Sequence, residues 1–114
     1  ALILRYLEKL ADGKQIGAAI CVATPTKKST SKYPPIQNFF EDDFNWPKIK
    51  LATNKWFIIG SDNDPYIPFK EIKFTPEKLS QKLIVKPNQG HFNLEFSPKF
   101  KQFPFLLEIF DQLE

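Results

Sequence analysis

Residues 55–69 read "KWFIIGSDNDPYIPF", an apolar run of strand length that stops at Gly60 and gives way to an acidic loop punctuated by proline. A run apolar at successive positions has no polar face to turn toward water, which is the pattern of a strand covered on both sides in a parallel sheet. Working outward, the pattern recurs in "IGAAICVA" (Ile16–Ala23) and in "KLIVK" (Lys82–Lys86). Between the last two runs lies "PFKEIKFTPEKLSQKL", where Phe69, Ile72, Leu79 and Leu83 offer apolar faces. Thr75 followed by Pro76 predicts an N-cap with proline at the first helical position, and hence two short helices. Strands alternating with helices predict a layered α/β fold with a parallel sheet joined by crossover connections.

The two ends of the chain carry helical periodicity. In "ALILRYLEKLADG", Leu2, Ile3, Tyr6, Leu7 and Leu10 recur on one face, and Gly13 is the expected C-cap. No Ser, Thr, Asp or Asn precedes that face, so the segment reads as a helix cut rather than started, and the chain as the C-terminal part of something longer. The tail from Phe100 to Leu113 places Phe103, Leu106, Leu107, Phe110 and Leu113 at helical spacing. Pro104 fits such a closing helix only in its first turn. The longest irregular stretch, "TPTKKSTSKYPPIQNFFEDDF", reads as a solvated loop on the rim where such sheets bind ligands. It leads into a short helix in "DDFNWPKIK", for which Asp42 or Asp43 is the expected cap.

Composition bounds the function. At 114 residues, 42% hydrophobic and 25% charged, the chain is an ordinary globular domain or part of one. The net charge of +3 is scattered, without the basic stripe of a nucleic-acid footprint, so no nucleic-acid partner is expected. No window approaches the roughly 20 apolar residues of a membrane span, so no membrane partner is expected either. The single cysteine, Cys21, excludes an internal disulfide and suits a reducing, cytoplasmic setting. It falls inside a strand, where a buried inert thiol is expected rather than a nucleophile.

Two residues carry the expected chemistry. In a parallel sheet the loops leaving the strands gather at one edge. Asp64 follows one strand and His91, the only histidine, follows the next, in "NQGHFN". Loops from adjacent strands about 4.8 Å apart can bring a carboxylate into hydrogen-bonding reach of an imidazole. An ionised Asp64 would accept from Nδ1–H of His91 and leave Nε2 free to take a proton from a hydroxyl nucleophile. Gly90 would permit a tight turn and Pro65 would stiffen the acid's segment. Asp62 is the rival acid, nearer the strand end and without a following proline. One histidine and one distant cysteine make no metal-ligand pattern, and phosphate-loop or dinucleotide fingerprints are absent, so no metal or cofactor is expected.

In order along the chain, "FNWPKIK", "FIIGSDNDPYIPF", "EKLSQKLIV", "GHFN" and "FPFLLEIF" resemble the C-terminal half of α/β-hydrolase-fold serine hydrolases of the retinoblastoma-binding-protein-9 type. The resemblance implies a three-layer fold, with residues 1–114 forming a single partial domain. It implies the order Ser, Asp, His, with the serine on a Gly-x-Ser-x-Gly elbow. The acid then falls on Asp64 and the base on His91, and the opening helix becomes the one leaving the elbow. The chain contains no Gly-x-Ser-x-Gly. The nucleophile and oxyanion donors are therefore expected before Ala1, and the 114 residues alone are expected to be inactive. The intact protein would hydrolyse a small-molecule ester or amide through an acyl-enzyme. No retinoblastoma-binding Leu-x-Cys-x-Glu motif is present, since Ala23 stands two positions after Cys21. The competing expectation is a complete noncatalytic α/β binding or interaction domain.

Overall fold

The computed structural model describes residues 1–26, 40 and 42–113. Most of the lysine- and proline-rich rim expected from residue 24 onward, at 27–39 and 41, lies outside the described residues. The elements run α1 (Leu2–Glu8), β1 (Ala19–Val22), α2 (Trp46–Leu51), β2 (Trp56–Gly60), α3 (Phe69–Ile72), α4 (Phe74–Leu79), β3 (Leu83–Val85), a 3-10 turn (Pro98–Lys101) and α5 (Pro104–Asp111). The three strands pair in parallel in the order β1-β2-β3, with Val22 opposite Ile59 and Gly60 opposite Val85.

The sheet forms because its apolar runs bury one row of side chains against three helices. Ala19, Cys21 and Ile58 share a core with Leu4 and Leu7 of α1, Ile49 of α2 and Leu79 of α4. Leu4, Leu7, Ile49 and Leu79 are completely buried. Each contributes about 1.5–3 kcal/mol by leaving water. Truncation of Leu79 to alanine would cost more, about 2–5 kcal/mol, because a cavity is left behind. A second cluster joins Ala23, Ile67 and Ile72 near the ends of the strands where the loops gather. Gly60 makes that junction possible, since a Cβ there would lie 2.3 Å from Cγ2 of Ile72.

Several helix ends differ from the sequence expectation. Helix α1 stops at Glu8 and is followed by Lys9 in ordinary right-handed geometry. Gly13, at φ +79°, serves a later turn in which Lys14 N–H donates to Ala11 O at 2.9 Å. The reason is tertiary. Glu8 is bridged to Arg5 at 2.9 Å and accepts from the Asn45 backbone N–H, while Arg5 lies over the Phe44 ring and donates to the Asp43 carbonyl. With the 42–45 segment tied down in this way, the cap of α2 is Asn45, whose Oδ1 accepts from Lys48 N–H at 3.2 Å, rather than Asp42 or Asp43.

Thr75 is not a cap. It lies inside α4 because Lys73, at φ −70° and ψ −18°, carries the helical path straight from α3 into α4. The Glu77 N–H that a Thr75 cap would serve donates to Lys73 O instead. The buried Thr75 hydroxyl is left without a partner among the described residues. The closing helix is shorter than expected. Pro104 disfavours helical geometry at the residue before it, and Phe103 sits at φ −133°. A 3-10 turn therefore precedes the break and α5 follows it with Pro104 in its first turn. Its buried residue is Ile109, while Leu107 and Phe110 of the expected apolar face are exposed.

Candidate active site

Strands β2 and β3 end level: Lys86 N–H donates to Gly60 O at 2.9 Å, continuing the parallel ladder by one bond. The loops that follow, 61–67 and 86–91, consequently leave the sheet side by side. What joins them is a set of side-chain bonds from four consecutive residues. Asp62 Oδ1 accepts from Asn88 N–H at 2.8 Å, and Ser61 Oγ accepts from Gln89 N–H at 2.9 Å. Asn63 Oδ1 accepts from Gly90 N–H at 2.8 Å and also from the Ser61 hydroxyl at 2.8 Å. Asp64 Oδ2 meets Nδ1 of His91 at 2.8 Å. The two residues expected to share a site are brought together.

The local chain explains why each side chain arrives. Asp64 Oδ1 accepts from the backbone N–H of Tyr66 at 2.8 Å and of Ile67 at 3.0 Å, an Asx turn that folds the acidic loop back on itself. With both carboxylate oxygens used, the side chain is completely buried without an unsatisfied charge. On the other loop, Asn88 and Gly90 both adopt left-handed geometry, at φ +56° and +57°. Gly90 is the residue that tolerates this at no steric cost. A Cβ at Gly90 would also lie 2.4 Å from the Phe96 ring. The resulting tight path turns His91 back toward Asp64.

A carboxylate acceptor fixes the tautomer of the ring: Nδ1 carries the proton and Nε2 presents its lone pair. Nε2 makes no hydrogen bond among the described residues, and the side chain is 32% exposed, so it can receive a proton from a group that approaches through solvent. The Tyr66 ring stands edge-on to the imidazole at 5.1 Å and 82°. Its hydroxyl donates to Glu95 Oε2 at 2.6 Å.

Asp62, the rival acid, bonds the Asn88 amide rather than the imidazole. Cys21 lies buried in the core, and burial pushes its thiol pKa up, which suppresses the thiolate. Ser61 is completely buried with its hydroxyl engaged at both ends, a clip rather than a nucleophile. Ser97 caps the 3-10 turn and Ser80 is bonded by Lys50, while Ser29 and Ser31 lie outside the described residues. Among the described residues no group of three or more His, Cys, Asp or Glu could hold a metal ion, and no helix is long and apolar enough to cross a membrane.

Sequence reasoning did not single out Ser61, Asn63, Tyr66 or Glu95. The polar run "SDND" directly after a strand was a signal for the first two, but nothing in the sequence names their partners on the far loop.

Comparison with known proteins agrees with this architecture. The serine hydrolase family matches residues 1–112. Serine hydrolase RBBP9 of Rattus norvegicus is 30% identical over 89 residues, covering 77% of this chain and 48% of that protein. Putative hydrolase YdeN of Bacillus subtilis is 30% identical over 90 residues, covering 79% of this chain and 47% of that protein. The chain thus spans about half the length of these curated relatives. The crystal structure of the ydeN gene product from B. subtilis superposes with a TM-score of 0.81 at 23% identity, over 97% of this chain and 58% of that one. The parallel sheet flanked by helices is therefore that of the hydrolase fold.

Proposed function

The chain belongs to the serine hydrolase family, and on that premise we propose that Asp64 and His91 are the acid and base of an acyl-transfer site. The observation that carries this reading is the 2.8 Å contact between a completely buried carboxylate and a partly exposed imidazole whose other nitrogen makes no hydrogen bond among the described residues. Asp64 orients the ring and stabilises its protonated form. Nε2 accepts the proton of a serine hydroxyl as its oxygen bonds the substrate carbonyl carbon. The same proton then passes to the leaving alcohol or amine as the carbon–heteroatom bond breaks. Water repeats the sequence on the acyl-enzyme: it gives one proton to His91 as its oxygen bonds the acyl carbon, and that proton passes to the serine oxygen as the acyl–serine bond breaks and the carboxylic acid leaves.

The serine and the oxyanion donors are supplied, on this reading, by sequence outside residues 1–114, because this chain has no Gly-x-Ser-x-Gly and its described serines are engaged elsewhere. The 114 residues alone are then inactive, a single partial domain. Small-molecule esters or amides are the substrate class, in a reducing, cytoplasmic setting suited to the free Cys21.

The test uses the product of the full reading frame beside the chain of residues 1–114. The longer protein should react with a fluorophosphonate probe and turn over an activated ester, while the shorter one does neither. His91→Ala should lower kcat by about 10³-fold or more, and Asp64→Asn by about 10⁴-fold through the wrong tautomer. Unchanged turnover in His91→Ala would overturn the assignment of the base. A reading frame without an elbow, with no probe labelling, would favour a noncatalytic binding module.

A further inference from the structure

The Asp64–His91 bond fixes one edge of the imidazole, but a single hydrogen bond leaves the ring free to tilt about it. The second restraint comes from an exposed part of the same two loops. Tyr66 lies two residues after Asp64, and Glu95 lies four residues after His91. Their side chains close a further bridge, from the first loop to the segment just past the second, the phenol donating to the carboxylate at 2.6 Å. That length is typical of a charge-assisted O–H···O⁻ bond. The bridge holds the Tyr66 ring at 82° to the imidazole with centroids 5.1 Å apart. An edge-on ring at this distance is a favourable aromatic geometry that opposes tilting. One restraint acts along the Nδ1 edge and the other through the T-shaped contact between the two rings.

We propose that Tyr66, held in place by Glu95, is a positioning residue for His91: it keeps the imidazole aligned on Asp64 with Nε2 directed into the rim. The inference rests on the reading of His91 as the base. It assigns no contact with substrate to Tyr66 or Glu95. Glu95 acts only through the phenol.

Because His91 is the sole histidine, imidazole NMR on the 114-residue chain reports this site alone. The readouts are the tautomer, from the ring nitrogen shifts, and the rate at which the Nδ1 proton exchanges with water. Tyr66→Leu should accelerate that exchange about tenfold, the upper scale of one aromatic edge contact. Tyr66→Phe keeps the ring but loses the bridge, and should accelerate it about threefold, on the scale of one exposed hydrogen bond. Glu95→Ala should match Tyr66→Phe, and the double variant should go no further than either. Glu95→Gln, whose amide oxygen still accepts from a phenol, should return the rate to within about twofold of the parent. In the product of the full reading frame, Tyr66→Leu should lower kcat about tenfold at constant KM, as misalignment of a base does.

Exchange within about twofold of the parent in Tyr66→Leu, with thermal unfolding unchanged, would overturn the proposal. So would additive effects of Tyr66→Phe and Glu95→Ala. Asp64→Asn separates this failure from failure of the premise. It should abolish the Nδ1–H tautomer, and if it does so while Tyr66→Leu is silent, only the positioning role falls. If Asp64→Asn leaves the tautomer intact, the acid–base pair itself falls.

Discussion

The loop after β2 and the loop after β3 supply one member each of the same pair, yet they are built on opposite terms. The Asp64 side chain is completely buried, its carboxylate bonded to two backbone amides of its own loop and to the imidazole. His91 is about one-third exposed and reaches its place through left-handed residues at 88 and 90. The acid is fixed by local chemistry and would be held there without its partner. His91 is held from outside, by the amides of its loop donating to Asp62, Ser61 and Asn63. An orienting group must be rigid and dehydrated, whereas a proton-transferring group must stay open to the molecules it serves. With Asp64 as the orienting group and His91 as the proton-transferring one, as proposed above, the asymmetry of burial would follow that division of labour.

The comparison can be broken most directly at the acid. Asp64→Ala removes two charge-assisted backbone bonds and should lower the stability to urea by about 3 kcal/mol, whereas His91→Ala, which unpairs one Asp64 oxygen but opens it to water, should cost less, about 1–2 kcal/mol. Similar losses from both would mean that the loops are equally interdependent.

A smaller effect is expected at the turn that delivers the base. Gly90→Ala forces a side chain into left-handed geometry and against the Phe96 ring, at a cost of about 2 kcal/mol. Its thermal unfolding should fall, and the Nδ1–H signal of His91 should broaden with it. Asn63→Ala removes the clip to Gly90 and to Ser61 and should cost about 1–2 kcal/mol in chemical denaturation. It sharpens the comparison if amide exchange accelerates in residues 88–91 and not in 64–67.

The smallest effect lies away from both loops. Burial raises the Cys21 pKa, so the unfolded chain ionises first, and stability that is intact below about pH 8.5 should decline as the pH rises above that value. Cys21→Ala should flatten that alkaline decline in denaturant titrations while leaving the neutral-pH tautomer of His91 unaltered.

Much of this arrangement was legible in the residues. The three apolar runs became the three strands, each trimmed at its ends, and Asp64 and His91 followed strands that proved adjacent and parallel. The helix ends were less legible. Gly13, Thr75 and the pair Asp42 and Asp43 are good cap residues by local preference, but capping depends on where packing halts a helix. Glu8 and Arg5 of α1 set that point for α2 through bonds spanning 37 and 38 positions, and Asn45 became the cap. The buried face of α5 was misjudged for a related reason. Its periodicity offers several apolar stripes, and only the docked orientation selects Ile109.

By itself the sequence determined the alternation of strands and helices and the residue types at the ends of neighbouring strands, because apolar periodicity and glycine or proline punctuation act over a few residues. Only the tertiary structure decided that Asp64 rather than Asp62 meets the imidazole, and that Ser61, Asn63, Tyr66 and Glu95 hold the two loops together. Those outcomes depend on side chains separated by some 26 to 29 positions arriving at hydrogen-bonding distance, which the register of β2 on β3 sets and no local preference encodes.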